Sequence, residues 1–301
     1  MFDSLAQSIY FAPRGRRRLM LLGKNLAQQY LKDNDKIIGL IGDEGSGKSL
    51  LIRGMFPGLN LVNDDKGINI NPSSIVHEAR ENNFTSHTYH IDVRFEIAFM
   101  QPWQLGDVIQ KAVNAGRRVV IEHFELLADH LEVEADLLVG IGEEVLTTRP
   151  GVFGPHPKEI ADIVFKSIKY RRMAHTAEDL TSKILEEEMG VEKSTYHSDV
   201  KSGFVLQFEE KPESEFDFDD LEARLKEIIA ANKTVKFHDR EHIKIGDEIY
   251  SCGGPKIHVK KTGDIKNFRL IKELKYDPKA ERYLLAGLVG EERSQFKLSN
   301  K

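Results

Sequence analysis

Ile37-Ile38-Gly39-Leu40-Ile41 runs without a break into Gly42-Asp43-Glu44-Gly45-Ser46-Gly47-Lys48-Ser49, and this junction constrains the chain more than any other stretch. An unbroken apolar run of that length fits a strand buried on both faces, as in a parallel sheet. The octapeptide after it has the spacing G-x-x-x-x-G-K-[ST]. In that pattern Gly42, Gly45 and Gly47 let backbone N–H groups turn inward around an anion where a Cβ would clash. Residues 49–56 then read as a helix, ended by Pro57-Gly58. Strand, glycine loop and helix in that order put the positive end of a helix dipole at the loop. With Ser46 and the glycines cradling phosphate oxygens, Lys48 is expected to reach the β- and γ-phosphates and Ser49 to offer its hydroxyl to Mg²⁺. A glycine turn that holds no phosphate is the plainer reading of the same residues.

Hydrolysis of a bound nucleotide also needs a carboxylate at the end of a neighbouring strand. Arg117-Arg118-Val119-Val120-Ile121-Glu122 is an apolar strand ending in an acid, and Tyr89-His90-Ile91-Asp92-Val93 places a second acid within a strand. Asp64 and Asp65 are a third candidate pair, in the loop expected beside the phosphates.

The same alternation extends along the first half. Helices are predicted over 18–31 and 104–115, strands over 87–93 and 117–123, and a strand at each end of 137–148. Strands alternating with helices predict a parallel sheet with helices on both faces, an α/β domain. Gly151-Val152-Phe153-Gly154-Pro155-His156-Pro157 is rich in breakers and coincides with a shift in charge density: 36 of the first 157 residues are charged, against 55 of the remaining 144. The boundary is therefore placed there, giving domains 1–157 and 158–301, each long enough for its own core. The second domain reads as α+β. A helix over 158–188, broken near Ala174, is followed by strands over 203–209, 234–238 and 248–252.

A net charge of -5 argues against a nucleic-acid or membrane-surface protein on the whole-chain average, although residues 256–301 carry 12 basic and 6 acidic side chains. No run of about 18 apolar residues occurs, no leader is expected, and the single Cys252 has no partner for an intrachain disulfide. The cytoplasm is the expected address, with no membrane partner.

The first half resembles the small P-loop ATPase of the bacterial tRNA threonylcarbamoyladenosine pathway over about residues 18–149. The resemblance lies in Leu21-Leu22-Gly23-Lys24-Asn25-Leu26-Ala27, the glycine loop, Leu51-Ile52-Arg53-Gly54, His90-Ile91-Asp92 and Val120-Ile121-Glu122. It implies a P-loop NTPase fold that binds ATP and Mg²⁺. Lys48, Asp92 and Glu122 would be catalytic, with Ser49 and Asp92 on the metal. Asn63-Asp64-Asp65-Lys66-Gly67 stands where that family has a Ser/Thr-Pro-Thr switch stretch.

The second half carries another set of residues. His175 and Asp179 lie one turn apart on a predicted helix, and Cys252-Gly253-Gly254-Pro255-Lys256-Ile257-His258 supplies a thiol and an imidazole across a tight turn. His, Asp, Cys and His are a set that Zn²⁺ accepts, but from spacing alone a helix-surface histidine beside an acid, plus a buried cysteine, describes them better. This half is similar, over about residues 165–275, to the second additional domain of alanyl- and threonyl-tRNA synthetases and to free-standing alanyl-tRNA editing proteins. The shared residues are His175-Thr176-Ala177, Cys252-Gly253-Gly254, His258-Val259 and Lys261-Thr262-Gly263. Asp179 replaces a histidine of that pattern, and two extra residues separate Cys252 from His258. The resemblance implies a tRNA-synthetase editing-like domain, with zinc on His175, Asp179, Cys252 and His258 in a pocket where an amino acid is hydrolysed from tRNA.

Arg14, Arg16, Arg17, Arg18, Lys169, Arg171 and Arg172 are candidates for meeting tRNA phosphates, or else form salt-bridged helix ends. The expected activity is Mg²⁺-dependent ATP hydrolysis by a chain fused to an editing-like domain, with nucleotide and tRNA or aminoacyl-tRNA as partners. Alternatives are a zinc-dependent aminoacyl-tRNA deacylase gated by nucleotide, a non-enzymatic nucleotide-switched module that binds an amino acid, tRNA or a protein partner, and a small-molecule kinase.

Overall fold

The computed structural model describes residues 8–61, 73–191, 196–212, 217–239, 241–252 and 257–291. The chain divides into two compact units, Met1–Ile168 and Lys169–Lys301. This division falls inside a helix, eleven residues past the breaker-rich stretch at 151–157. Packing explains the offset: Ile160, Ala161 and Val164 belong to a core of the first unit, while Tyr170, Met173, Ala174, Ala177 and Leu180 belong to that of the second.

In the first unit the order is β1 (Ser8–Phe11), α1 (Arg16–Tyr30), β2 (Ile37–Gly42), α2 (Lys48–Met55), α3 (Ser74–Glu81), β3 (Thr88–Asp92), α4 (Val93–Glu96), α5 (Pro102–Asn114), β4 (Arg118–Glu122), β5 (Leu137–Ile141) and β6 (Glu144–Thr148). One six-stranded sheet has the order β1-β6-β5-β2-β4-β3. β5, β2, β4 and β3 are mutually parallel, but β6 runs antiparallel to both β5 and β1. The expectation of a P-loop NTPase fold on a parallel sheet is therefore corrected: the sheet is mixed. The cause is local, because only Gly142 and Glu143 separate β5 from β6. A two-residue link can return a strand only antiparallel, whereas a parallel return needs a crossover of a dozen residues or more. β1 and α3 were not anticipated from the sequence.

Alternate residues of the central strands feed two cores, one on each face. Ile38, Leu40 and Val120 pack with Leu19, Leu26, Leu51 and Ile52 of α1 and α2. Ile37, Ile41, Val119 and Ile121 pack with α3 and α5 through Ile75, Leu105 and Ile109. On the first face Gly23 and Gly54 bring α1 and α2 into backbone contact, since a Cβ on Gly23 would strike the Leu51 carbonyl and one on Gly54 the Met20 carbonyl. At the far end of β2, Arg149 grips both oxygens of Asp35 at 2.8 Å, and Asp136 accepts the N–H groups of Lys36 and Ile37. Arg149 holds the Asp35 carboxyl below its usual range against the opposing effect of burial. These anchors fix the strand whose other end opens into the glycine loop.

The long helix α6 (Pro157–Lys183) continues without a break at Ala174 and ends in a π-helical turn, Ile184–Glu188. Ala174 is buried in the core of the second unit and is a strong helix former, so nothing interrupts the helix there. The second unit adds β7 (Tyr196–Val200), β8 (Gly203–Phe208), α7 (Phe218–Ala230), β9 (Val235–Phe237), β10 (His242–Ile245), β11 (Glu248–Ser251), β12 (Arg269–Leu270), β13 (Lys275–Asp277) and β14 (Arg282–Leu288). Two antiparallel sheets result, β12-β14-β8-β7 with β13 on β14, and β11-β10-β9. Among the described residues no helix is long and apolar enough to cross a membrane.

Candidate functional site

In the first unit the glycine loop leaves the C-terminal end of β2. Gly45 and Gly47 have φ of +72° and +100°, a region that residues with a Cβ avoid. A Cβ on Gly47 would also sit 2.6 Å from Leu19 Cδ1, and one on Gly42 2.9 Å from Ser46 Oγ. Ser46 is buried within the loop, its N–H donating to Asp43 O at 3.2 Å. The loop thus turns tightly over α1 and delivers Lys48 and Ser49 as the first residues of α2. The N–H groups of a first helical turn have no intrahelical acceptors and point toward the loop side.

Lys48 is 5% exposed, and its Nζ donates to the carbonyls of Gly42 and Asp43 at 3.1 and 3.0 Å. It also lies 3.7 Å from Glu122 Oε2. Ser49 Oγ donates to Glu122 Oε1 at 3.0 Å. Strand register brings these groups together: Glu122 ends β4 opposite Leu40 of β2 and opposite Asp92 of β3. Asp92 also caps α4, its Oδ1 accepting from Phe95 N at 3.4 Å, and its charge is felt by Lys48.

His90 completes the cluster, with Nε2 3.2 Å from Glu122 Oε1. Sequence reasoning gave this residue no role, although its period-2 spacing from Asp92 already placed both on one face of β3. Burial alone would push the Glu122 carboxyl up. The His90 hydrogen bond, the Lys48 charge and the Ser49 hydroxyl outweigh it and hold Glu122 down at about 2. Burial pulls Lys48 below its ordinary value, opposed by the charges of Glu122, Asp92 and Glu125. The cluster offers a cation, a hydroxyl and an ionised carboxylate at the mouth of a loop of backbone amides. Asp64, Asp65 and the whole of 63–67 lie outside the described residues.

In the second unit His175 and Asp179 project from one face of α6, Cys252 follows β11, and His258 follows Cys252 by six residues. Cys252 Sγ is 3.7 Å from His175 Nε2 and 3.3 Å from His258 Nε2. Asp179 Oδ1 is 3.9 Å from His175 Nε2, and its Oδ2 is 3.8 Å from His258 Nε2. One donor atom from each residue lies within 4.8 Å of all the others, so these four form a group able to hold a metal ion. The two extra residues before His258 do not keep it away.

Thr176 fixes the neighbourhood. Its hydroxyl donates to Arg172 O at 2.9 Å, accepts from Val259 N at 3.1 Å and lies 3.4 Å from His258 Nδ1. With its hydrogen committed to Arg172 O, Thr176 can only accept from that ring nitrogen. This favours the His258 tautomer that turns the Nε2 lone pair toward Cys252.

The basic residues differ in exposure. Arg14 and Arg171 are buried, whereas Arg16, Arg17 and Lys169 are exposed. Lys169 and Arg172 help line a cavity of about 470 Å³ in the second unit, together with Lys260, Lys266, Asp264 and Glu291. Val259, next to His258, is part of its wall.

No protein-family model matches the chain, and no curated protein matches it. Among solved structures it is similar to the ornithine aminotransferase from Toxoplasma gondii, at 13% identity over 88% of this chain and 71% of that one. The TM-score is 0.25, a likeness too low to carry any statement about fold or chemistry.

Proposed function

We infer that the chain is a nucleotide-dependent enzyme: the first unit binds ATP with Mg²⁺ at loop 42–49 and hydrolyses it, and the second is an editing-like module that takes up tRNA or aminoacyl-tRNA. The observation that carries the first part is the convergence of Lys48, Ser49 and Glu122 at the mouth of the glycine loop. Loop amides and the Lys48 ammonium would hold the phosphate oxygens, exchanging the Gly42 and Asp43 carbonyls for a charged acceptor. Ser49 and Asp92 would hold Mg²⁺, which supplies neutralisation of the phosphate charge. Glu122, ionised and buried beside them, would accept a hydrogen bond from the attacking water and so orient it.

Support for the second part is the cavity, where Lys169, Arg172, Lys260 and Lys266 suit a phosphate backbone. A second reading, a zinc-dependent hydrolase of aminoacyl-tRNA, is favoured by the donor group itself. Tetrahedral zinc with bonds of about 2.05 Å to nitrogen and 2.3 Å to sulfur sets its donors roughly 3.3–3.6 Å apart. The Cys252–His258 separation of 3.3 Å falls in that range, and the four donors as a set, within 4.8 Å of one another, would have to draw in slightly around the ion. Bound there, zinc would supply Lewis acidity. Yet four protein donors fill a tetrahedron, as in structural sites, so this reading stands second.

The test is calorimetric titration with ATP, GTP and non-hydrolysable analogues in Mg²⁺, together with phosphate release. The unaltered chain is expected to bind ATP. Lys48→Ala should abolish measurable binding and lower turnover by about a thousandfold, the scale seen when a charge-stabilising donor is removed. Equal binding and turnover in the variant would overturn the proposal.

A further inference from the structure

Among the described residues Glu122 has three partners, and a nucleotide would not treat them alike. Lys48 would turn to phosphate oxygens and Ser49 to the metal. Both therefore loosen their hold on Glu122 when its orientation matters. His90 is assigned to neither phosphate nor metal in that reading. Its ring is buried, with the side chain 1% exposed, on β3 at the register position opposite Val120. The backbone on both sides of it is tied into the β3–β4 ladder, so the ring nitrogen is held by a sheet rather than by a loop.

His90 Nε2 and Ser49 Oγ both meet Oε1, while Lys48 approaches Oε2. Fixing Oε1 from the sheet side leaves Oε2 directed toward the loop mouth. An ionised carboxylate accepts hydrogen bonds and donates none, so the proton of this contact sits on His90 Nε2. His90 is neither a phosphate ligand nor a metal ligand in the reading above.

We propose that His90 is a positioning residue for nucleotide hydrolysis, holding the Glu122 carboxylate in place through its Nε2–H once Lys48 and Ser49 have been claimed by the ligand. The inference rests on the nucleotide reading and adds a residue to it. Displacement of a catalytic group by about 1 Å costs up to a hundredfold in rate, and a positioning group spends that on turnover rather than on affinity.

The test uses the full chain in three forms: unaltered, His90→Leu, which removes the donor, and His90→Gln, whose amide N–H can reach the place of Nε2. Phosphate release gives kcat and KM, and calorimetry gives the Kd of a non-hydrolysable ATP analogue. The expected result is a kcat about tenfold to a hundredfold lower for His90→Leu, with Kd within about twofold and most of kcat restored by His90→Gln. A histidine ¹⁵N spectrum provides a readout independent of turnover and of the variants' folding, with His90 of the unaltered chain expected as the Nε2–H tautomer.

An unaltered chain that neither binds nor hydrolyses nucleotide overturns the nucleotide reading and this inference with it. A chain that hydrolyses ATP, yet shows the Nδ1–H tautomer at His90, an unchanged kcat in His90→Leu, a loss shared equally with Kd, or no rescue by His90→Gln, overturns this inference alone.

Discussion

The two units bury polar clusters of opposite kinds. In the first, Lys48, Ser49 and His90 surround one carboxylate, so donors meet an acceptor and positive charge meets negative at 3.0 to 3.7 Å. In the second, two imidazoles, a thiol and a carboxylate bring lone pairs toward one another at 3.3 to 3.9 Å. The first set satisfies itself through the chain's own charges; in the proposed function, phosphate would take Lys48 and metal would take Ser49. The second has the composition of a coordination sphere, and a metal bound there would add to its stability.

The comparison breaks most visibly if a metal is not what the second cluster holds. The purified chain is expected to carry about one zinc per molecule by elemental analysis. Cys252→Ala should reduce this to a small fraction after dialysis, because the strongest thiolate donor is gone. Nucleotide binding at the loop should be unchanged in that variant. Zinc content that survives Cys252→Ala would mean the four residues are not its ligands.

The next effect separates the clusters by acid. Glu122 sits at about 2 in the folded chain against an ordinary 4.5. Its contribution to stability is therefore complete above about pH 4.5 and is lost as the pH falls through 2. A depression of that size corresponds to about 3 kcal/mol. Urea midpoints of the first unit, followed by the NMR signals of amides in β2 and β4, should fall steeply between pH 5 and 2 in the unaltered chain and more shallowly in Glu122→Gln. Parallel slopes would show that the Glu122 network does not hold the first unit together.

How far each cluster could be read in advance differs for the same physical reason. Lys48 and Ser49 are adjacent in sequence and follow a strand, so local spacing alone put them at a loop mouth. Glu122 was legible because it ends an apolar strand, and parallel strands end on a common edge. His90 was not, because a histidine inside Tyr89-His90-Ile91 looks like a core residue until the register of β3 against β4 sets its ring beside Glu122. The antiparallel turn at Gly142-Glu143 was hidden inside one stretch, 137–148, whose two strands were placed but not their relative direction. In the second unit, 77 residues separate His175 from Cys252. No spacing rule spans that distance, so the residue types offered the set, the resemblance strengthened it, and its convergence is a matter of tertiary packing. The extent of α6 was legible, but which unit each turn packs into was not, because Ile160 and Val164 carry the same apolar signal as Ala177 and Leu180.

The smallest effect tests whether the second cluster is organised from outside, as the first is organised by His90. Thr176 is fully buried and meets the donor group at His258 Nδ1. Thr176→Val keeps the shape and deletes the hydroxyl, which leaves the Val259 N–H without its acceptor and frees the His258 ring to take the other tautomer. An unsatisfied buried donor costs about 1–3 kcal/mol, and losing a partner that orients a metal-bound histidine costs about tenfold in metal affinity. Competition with a zinc chelator should show that weakening, with stoichiometry still near one, and Thr176→Ser should recover most of it. If Thr176→Val binds zinc as tightly as the unaltered chain, His258 is oriented by the backbone around Val259 alone. The second cluster would then need no side-chain brace of the kind proposed for Glu122.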